Sequence, residues 1–120
     1  MAKILVVEDN EKNMYLMIFI LRKGGYEVIK CGSGEQAVET AIKEKPDLII
    51  MDVQLPGISG LEATKRIRES EADGNIPIIA VTSYAMAGDK EKVLAAGCNG
   101  YIEKPINPET FLAEVERYLK

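Results

Sequence analysis

The chain has 120 residues, of which 47% are hydrophobic and 28% are charged, and its formal net charge is −4. This length fits one ordinary domain, so residues 1–120 are expected to form a single unit with its own core. A negative net charge argues against a nucleic-acid surface, which usually needs clustered lysine and arginine. No apolar run approaches the roughly 18 residues needed to cross a bilayer, and the N-terminal segment lacks a secretory signal pattern. We therefore expect a cytoplasmic protein that binds neither nucleic acid nor a membrane.

The chain contains no histidine and only two cysteines, Cys31 and Cys98, which lack a C-x-x-C spacing. Nothing in the pattern suggests export, so both are expected to be reduced thiols in the core or at the surface. Two distant cysteines do not predict a zinc site. Catalytic triads that need an imidazole are excluded as well.

Short apolar runs alternate along the chain with longer segments that carry helix punctuation. Ser33 and Gln36 have capping-box spacing, as do Ser59 and Glu62, and Asn107 precedes a proline suited to the first helical position. The predicted elements are β1 at 3–8, α1 at 11–23, β2 at 26–31, α2 at 34–44, β3 at 47–52, α3 at 60–70, β4 at 77–82, α4 at about 86–96, β5 at 100–103 and α5 at 108–119. Continuous apolar runs are typical of parallel strands buried on both faces. The sequence therefore predicts a three-layer α/β/α sandwich with right-handed connections around a five-stranded parallel sheet.

Polar residues stand at the ends of four predicted strands. Glu8 and Asp9 close β1, Asp52 closes β3, Thr82 closes β4, and Lys104 follows β5. The carboxyl ends of parallel strands meet at one edge of the sheet, where open α/β folds bind ligands. Neighbouring strands lie about 4.8 Å apart, so side chains at adjacent strand ends are expected to be in contact range.

This set of residues indicates a site for a cation and a phosphoryl group. Three carboxylates repel one another and need a cation, and a site made only of oxygen ligands favours Mg²⁺. A carboxylate can serve as a nucleophile toward phosphorus, and phosphoryl transfer needs mainly positioning and charge stabilisation. Any one of these residues could instead be a helix cap or a solvated loop end. Their joint occurrence at four strand ends is harder to explain in that way.

Four motifs resemble the response-regulator receiver family: VVEDN at 6–10, MDVQLPGISG at 51–60, AVTSYA at 80–85 and YIEKPI at 101–106. The resemblance runs in order along the whole chain and is nearest in appearance to single-domain cell-cycle regulators and hybrid-kinase receivers. It implies the flavodoxin-like strand order 2-1-3-4-5. It also implies a two-component phosphorelay, in which a histidine kinase or a histidine phosphotransfer protein supplies the phosphoryl group. The signal would then pass to a downstream protein target through a changed binding surface.

The resemblance implies a role for each residue of the predicted metal site. Asp52 would be the phosphoacceptor. Mg²⁺, with Mn²⁺ as an alternative, would be held by the carboxylates of Glu8, Asp9 and Asp52 and by the backbone carbonyl of Gln54. Glu8 stands where the family often has aspartate, and its longer side chain would reach the metal through a water.

The resemblance also implies a switch beside the phosphoacceptor. Thr82 would be the switch hydroxyl, Tyr101 the switch aromatic and Lys104 the phosphate-binding lysine, and the Lys104–Pro105 peptide bond would be cis. Tyr84 would shield the phosphoryl group from water and slow its hydrolysis. Ser83 replaces the alanine that is common after the switch threonine, and it is still small enough to leave room for phosphate.

Three other functions compete with that of a receiver phosphoacceptor. A flavodoxin-like cofactor protein needs a phosphate-cradling loop after β1, whereas this loop, EDNEKN at 8–13, is acidic and has no glycine. A phosphatase with an aspartyl-phosphate intermediate would need a second acid, but Gln54 stands two residues after Asp52. A degenerate, scaffolding receiver is disfavoured by the intact site residues. We therefore expect a phosphoacceptor that assists its own phosphorylation and slow dephosphorylation, without a separate substrate.

Eight consecutive apolar residues, 14–21, lie within the predicted helix α1. Helical periodicity and the receiver pattern predict an inward face made of Asn13, Leu16, Met17, Ile20 and Leu21. The opposite face would then carry an apolar patch made of Met14, Tyr15, Ile18 and Phe19. Helix α5, through Phe111 or Tyr118, could cover part of this patch. An exposed patch would instead mark a partner surface, either for the histidine-bearing helices of a phosphodonor or for self-association, so the chain is expected to be a monomer or a weak dimer.

Overall fold

A computed structural model describes residues 2–70, 76–83 and 87–119, so the predicted shielding role of Tyr84 lies outside the described residues. The strands are β1 (Lys3–Val7), β2 (Glu27–Cys31), β3 (Leu48–Asp52), β4 (Ile78–Thr82) and β5 (Gly100–Glu103). The helices are α1 (Glu11–Lys23), α2 (Gly34–Glu44), α3 (Gly60–Ser70), α4 (Ala87–Ala95) and α5 (Phe111–Glu116). None of the helices in the described ranges is long and apolar enough to cross a membrane.

The five strands form one parallel sheet in the order β2-β1-β3-β4-β5, which confirms the predicted flavodoxin-like topology. Successive side chains of a strand point to opposite faces, so each strand contributes to two cores. Leu5 and Val7 of β1 belong to one cluster, with residues of α2, α3 and α4. Ile4 and Val6 belong to a second cluster, with residues of α1 and α5. The sheet is therefore covered on both faces, which explains the continuous apolar runs in its strands.

Side-chain caps fix the starts of the helices that leave the carboxyl edge of the sheet. Asn10 accepts a hydrogen bond from the backbone N–H of Asn13 at 3.0 Å. Ser33 accepts one from the N–H of Gln36 at 3.2 Å. These bonds satisfy N–H groups that have no partner within the helix, and thereby set where α1 and α2 begin.

The sequence pattern predicted that helix α5 begins at residue 108, but the helix begins at Phe111. Asn107 does act as a cap, because its side-chain oxygen accepts a hydrogen bond from the N–H of Glu109. Residues 108–110 form a turn, and the N–H groups of Thr110 and Phe111 both donate to the carbonyl oxygen of Asn107. The cap and the proline therefore start this turn, and the regular helix follows it.

The predicted orientation of α1 is only partly correct. Met17 and Leu21 are buried and Ile20 packs against the core, as predicted, but Ile18 is buried as well, and Met14 packs against the same core cluster, which includes Phe111. Asn13 and Leu16, which were predicted to face inward, are partly exposed. Tyr15 and Phe19 remain exposed, as predicted, at 73% and 54%. An apolar run of eight residues contains more than one set with i, i+3, i+4, i+7 spacing, so periodicity alone could not select the buried face.

Gly60 packs closely against the backbone of Asp52, the last residue of β3. A Cβ atom at position 60 would lie 2.0 Å from the carbonyl oxygen of Asp52, which is backbone and cannot rotate away. Gly60→Ala should therefore lower the free energy of unfolding by about 1–3 kcal/mol, the usual cost of overpacking. Urea unfolding measures the change. Gly32→Ala is the control, because a Cβ there meets no atom within 4 Å, and equal stability of the two variants would contradict the predicted contact.

Candidate functional site

The strand order brings the predicted site residues to one edge of the sheet. Glu8 and Asp9 directly follow β1, which pairs with β3, and Asp52 is the last residue of β3. Thr82 ends β4 on the other side of β3, and Lys104 follows β5. Because all strands are parallel, these side chains share the carboxyl edge, where α/β folds bind ligands.

Three carboxylates form a cluster at this edge. Oxygen atoms of Glu8, Asp9 and Asp52 all lie within 4.8 Å of one another. Glu8 and Asp52 are each only 2% exposed, whereas Asp9 is exposed. Like charges at this separation destabilise one another, so the arrangement needs nearby positive charge.

Lys104 supplies part of that charge. Its Nζ lies 3.2 Å from Oε1 of Glu8 and 3.2 Å from Oδ1 of Asp52. Burial lowers the pKa of Lys104, but the two neighbouring carboxylates outweigh this effect and hold the pKa above its ordinary value. The ammonium group therefore stays charged beside the buried carboxylates. The Lys104–Pro105 peptide bond is cis, the geometry that the resemblance implies.

Glu8 has an unusual protonation equilibrium. Burial, together with a hydrogen bond to the carboxylate of Asp52, raises its pKa to about 7, although a hydrogen bond from the N–H of Asn10 and the charge of Lys104 act in the opposite direction. The Asn10 N–H donates to Oε2 of Glu8 at 3.2 Å. Oε1 of Glu8 is buried and forms an ion pair with the Lys104 ammonium, 3.2 Å away. It shares this ammonium group with Oδ1 of Asp52.

The rim of the site links the loops that follow β3 and β4. The backbone N–H of Gln54 donates to Oδ1 of Asp52 at 3.2 Å, and the side-chain oxygen of Gln54 accepts a hydrogen bond from Ser83 at 3.5 Å. Thr82 is buried, and its carbonyl oxygen accepts a hydrogen bond from the N–H of Lys104 at 2.8 Å. Thr82 and Lys104 are thus joined through the backbone, and Gln54 connects Asp52 with the loop that follows Thr82.

Tyr101 lies further from the carboxyl edge than the other predicted site residues. It pairs in register with Ala80, two residues before Thr82, and its ring is partly buried. The ammonium group of Lys90 lies 5.7 Å from the centre of this ring. The aromatic side chain therefore belongs to the β4–β5 flank of the site and not to the acidic cluster.

A groove of about 880 Å³ leads away from the acidic cluster along α1. It is lined by Glu8, Asp9, Glu11, Met14, Tyr15, Ile18, Phe19, Arg22, Lys23, Lys30, Cys31 and Gly32. All four residues of the predicted α1 patch line it, although Ile18 is only 9% exposed. The rings of Tyr15 and Phe19 are stacked, with their centres 6.4 Å apart. The exposed apolar surface is therefore narrower than predicted and continuous with the acidic site.

Sequence reasoning missed several residues around the site. Asn10 caps α1 and also donates its backbone N–H to the carboxylate of Glu8. The hydrogen bond between Ser83 and Gln54 was not foreseen, because it joins two exposed loop side chains. Residues 30–32 form the far wall of the groove. They lie there because β2 is next to β1 in the strand order, so that the N–H of Glu8 donates to the carbonyl of Cys31. That order was available only through the family resemblance.

The fold and this site define a flavodoxin-like α/β domain with a buried acidic centre at the carboxyl edge of its sheet. Residues 4–116 match the model of the response regulator receiver domain family, and the chain belongs to that family. Receiver domains of this family act as phosphoryl acceptors in two-component signalling and bind Mg²⁺ at an acidic pocket.

Known relatives support the same assignment. The polar-differentiation response regulator DivK of Brucella ovis is 46% identical over 116 residues, which cover 97% of this chain and 94% of that protein. The chemotaxis protein CheY4 of Vibrio cholerae has a similar structure, with a TM-score of 0.93, 34% identity and 99% coverage of both chains. The receiver domain of a sensor histidine kinase from Pseudomonas aeruginosa gives a TM-score of 0.89 and 39% identity, with 98% of this chain and 96% of that chain covered. That structure has a magnesium ion coordinated in its active-site cleft.

The raised pKa of Glu8 predicts a pH dependence of stability. The folded chain binds more protons than the unfolded chain between the ordinary value of 4.5 and the folded value of about 7. The free energy of unfolding of the metal-free chain should therefore fall as pH rises through this range. Urea unfolding in the presence of a chelator, at a series of pH values, measures the slope.

Glu8→Gln is the control for this prediction, because an amide does not titrate. The unfolding free energy of the wild type minus that of Glu8→Gln should fall as pH rises from 4.5 to about 7. A difference that is constant across the range, or that rises with pH, would contradict a raised pKa at Glu8.

Proposed function

We propose that Asp52 accepts a phosphoryl group from a phosphohistidine of a histidine kinase or a histidine phosphotransfer protein. The observation that carries the proposal is the position of Asp52: buried at the carboxyl edge, within 4.8 Å of two other carboxylates and 3.2 Å from the Lys104 ammonium. A nucleophilic carboxylate beside a fixed cation suits an incoming group that carries negative charge. The chain itself contains no histidine, so the donor is a separate protein or domain.

The proposed transfer forms one bond and breaks one. Lys104 and the N–H of Gln54 both contact Oδ1 of Asp52, which leaves Oδ2 to attack phosphorus. The new P–O bond forms as the P–N bond to the donor imidazole breaks, and the electron pair of that bond stays on the imidazole. Lys104 would then contact a phosphoryl oxygen as well as the carboxylate, and so stabilise the charge that moves into the site.

The donor set fits Mg²⁺, with Mn²⁺ as an alternative of similar preference. The carboxylates of Glu8, Asp9 and Asp52 and the backbone carbonyl of Gln54 would hold the ion. The shared ion pair supports this assignment, because Glu8 and Asp52 both contact the Lys104 ammonium at 3.2 Å while Asp9 lies within 4.8 Å of them, so negative charge exceeds the positive charge beside it. When bound, the metal supplies positive charge to the phosphoryl oxygens.

The chain is proposed to be a signalling phosphoacceptor and not an enzyme with a separate substrate. The group that attacks phosphorus is Asp52 itself, and the product is the phosphorylated chain. Water would later hydrolyse the acyl phosphate slowly, with help from the same residues. This proposal follows the general role of the family.

Thr82 and Tyr101 are proposed to form the switch. The buried Thr82 ends β4 next to β3, so its hydroxyl is suited to contact a phosphoryl group on Asp52. Tyr101 lies on the neighbouring strand β5, where its partly buried ring could move into space that Thr82 leaves. A phosphoryl group would favour one of two arrangements of this flank and so change the surface offered to a downstream protein target.

The groove beside α1 is proposed to receive a helix of the phosphodonor. Its apolar rim, formed by Tyr15 and Phe19, is continuous with Glu8 and Asp9 of the acidic site. A helix lying in this groove would bury the exposed rings and bring a histidine to Asp52. The buried Ile18 and the partly buried Met14 would form the floor of the groove.

Phosphorylation of Asp52 is tested with a small-molecule donor. Incubation with acetyl phosphate and Mg²⁺ should raise the intact mass by one phosphoryl group, because Asp52 is the only proposed acceptor. The increase should vanish in Asp52→Asn, which lacks the acceptor. It should also vanish in Asp9→Ala, which lacks a proposed metal ligand, and in excess chelator, which removes the metal. Persistence of the label in Asp52→Asn would overturn the acceptor assignment, and full labelling in chelator would overturn the role of the metal.

The docking surface is tested by separating protein donors from small-molecule donors. Tyr15→Glu and Phe19→Glu should slow phosphotransfer from the cognate donor about tenfold, the effect of losing a contact worth about 1.4 kcal/mol. Labelling by acetyl phosphate should be unchanged, because the acidic site is intact. Ile42→Glu is the matched control, since Ile42 is 52% exposed but lies on α2, outside the groove.

Three outcomes would contradict this docking surface. Unchanged transfer in both α1 variants would show that the donor does not use the groove. Equal loss of transfer and of acetyl phosphate labelling would show that the substitutions damage the site itself. A change in oligomeric state without a change in transfer would assign the patch to self-association.

A further inference from the structure

The first turn of α2 contacts the loop between β3 and α3, outside the acidic site. Oε2 of Glu35 accepts a hydrogen bond from the backbone N–H of Ile58 at 3.3 Å. Gly57 has a φ of 77°, a conformation that favours glycine. A Cβ atom on Gly57 would lie 2.7 Å from Oε2 of Glu35, so the carboxylate rests against the bare backbone of this turn.

The contact is reciprocal. A Cβ atom on Gly34 would lie 2.7 Å from a side-chain carbon of Ile58 and 2.9 Å from its carbonyl oxygen. The pair Gly34–Glu35 thus fits against the pair Gly57–Ile58, with a glycine on each side allowing the close approach. Two independent close contacts therefore fix where the tip of the loop lies relative to α2.

The base of the same loop is fixed at Asp52. The N–H of Gly60 donates to the carbonyl oxygen of Val53 at 2.9 Å, and Gly60 packs directly against the carbonyl of Asp52. The N–H of Gln54 donates to the Asp52 carboxylate. The loop is therefore closed at its base by the site and anchored at its tip by Glu35.

We propose that Glu35 is a positioning residue that sets the affinity of the site for Mg²⁺ by holding the β3–α3 loop. The inference rests on the proposed function, in which the backbone carbonyl of Gln54, within this loop, is a metal ligand. Glu35 is exposed on α2 and is not part of the acidic cluster, so it acts through the backbone of the loop and not by binding the ion. Supports of this kind orient metal ligands and reduce the conformational freedom lost on binding.

The type of hydrogen bond predicts which substitutions matter. An ionised carboxylate accepts a hydrogen bond roughly twice as strong as a neutral acceptor does. Glu35→Gln keeps an acceptor of similar length, whereas Glu35→Ala removes it. Glu39→Ala, one turn further along the exposed side of α2, removes the same charge without touching the loop.

The experiment measures Mg²⁺ affinity by NMR titration of the amide signals of residues 52–60. Glu35→Ala should raise the Kd for Mg²⁺ about tenfold, the lower end of the effect of losing an outer support of a metal site. Glu35→Gln should give a Kd between those of Glu35→Ala and the wild type, because its amide oxygen is a weaker acceptor, and Glu39→Ala should match the wild type. Acetyl phosphate labelling should slow in Glu35→Ala at limiting Mg²⁺ and approach the wild-type rate at saturating Mg²⁺.

A second readout does not depend on the metal. Hydrogen exchange at the amide of Ile58 should be faster in metal-free Glu35→Ala than in the wild type, and intermediate in Glu35→Gln. A wild type that binds no Mg²⁺ would overturn the proposed function and this inference with it. A wild type that binds Mg²⁺, with the same Kd in Glu35→Ala, would overturn the inference alone, as would unchanged exchange at Ile58.

Discussion

Two buried carboxylates share one ammonium group at the edge of the sheet, and this imbalance of charge governs the site. Glu8 and Asp52 are almost fully buried, and Lys104 lies 3.2 Å from each. Removing ions from water is costly unless opposite charge and hydrogen bonds compensate. Burial raises the pKa of Glu8 most, and the hydrogen bond to Asp52 and the charge of Asp52 raise it further, because a single lysine does not compensate three nearby carboxylates. A divalent cation would relieve the same repulsion and keep Glu8 ionised.

The fold makes this imbalance tolerable. Strands β3 and β4 are buried along their whole length, and helices cover both faces of the sheet. In these two strands the polar residues, Asp52 and Thr82, stand only at the carboxyl edge, where the strands end and the chain turns into loops. Water reaches the cluster through the exposed Asp9, while the apolar strands beneath keep Asp52 and Lys104 in fixed positions. Low polarity below the site strengthens each charge interaction within it.

The sequence predicted well what depends on local pattern. The bounds of α1, α2 and α3 agree with the prediction, because caps and glycines mark them, and the strand-end residues do meet at one edge. The rotation of α1 was not predictable, since a continuous apolar run from Met14 to Leu21 offers several equivalent faces. The start of α5 was misplaced because Asn107 caps a turn before it caps a helix. The hydrogen bond between Glu35 and Ile58 could not be predicted, because it joins an ordinary surface glutamate to a backbone N–H 23 residues away.

The strand order also separates the two kinds of contact that the proposed function requires. Strands β1 and β2 lie on one side of β3, and the groove along α1 opens on that side, next to Glu8 and Asp9. Strands β4 and β5, which carry Thr82 and Tyr101, lie on the other side. A donor in the groove would therefore reach Asp52 without covering the flank proposed to change on phosphorylation. Asp52, at the end of the central strand, lies between the two flanks, so in the proposed function its charge state would link the receipt of the phosphoryl group to the changed surface.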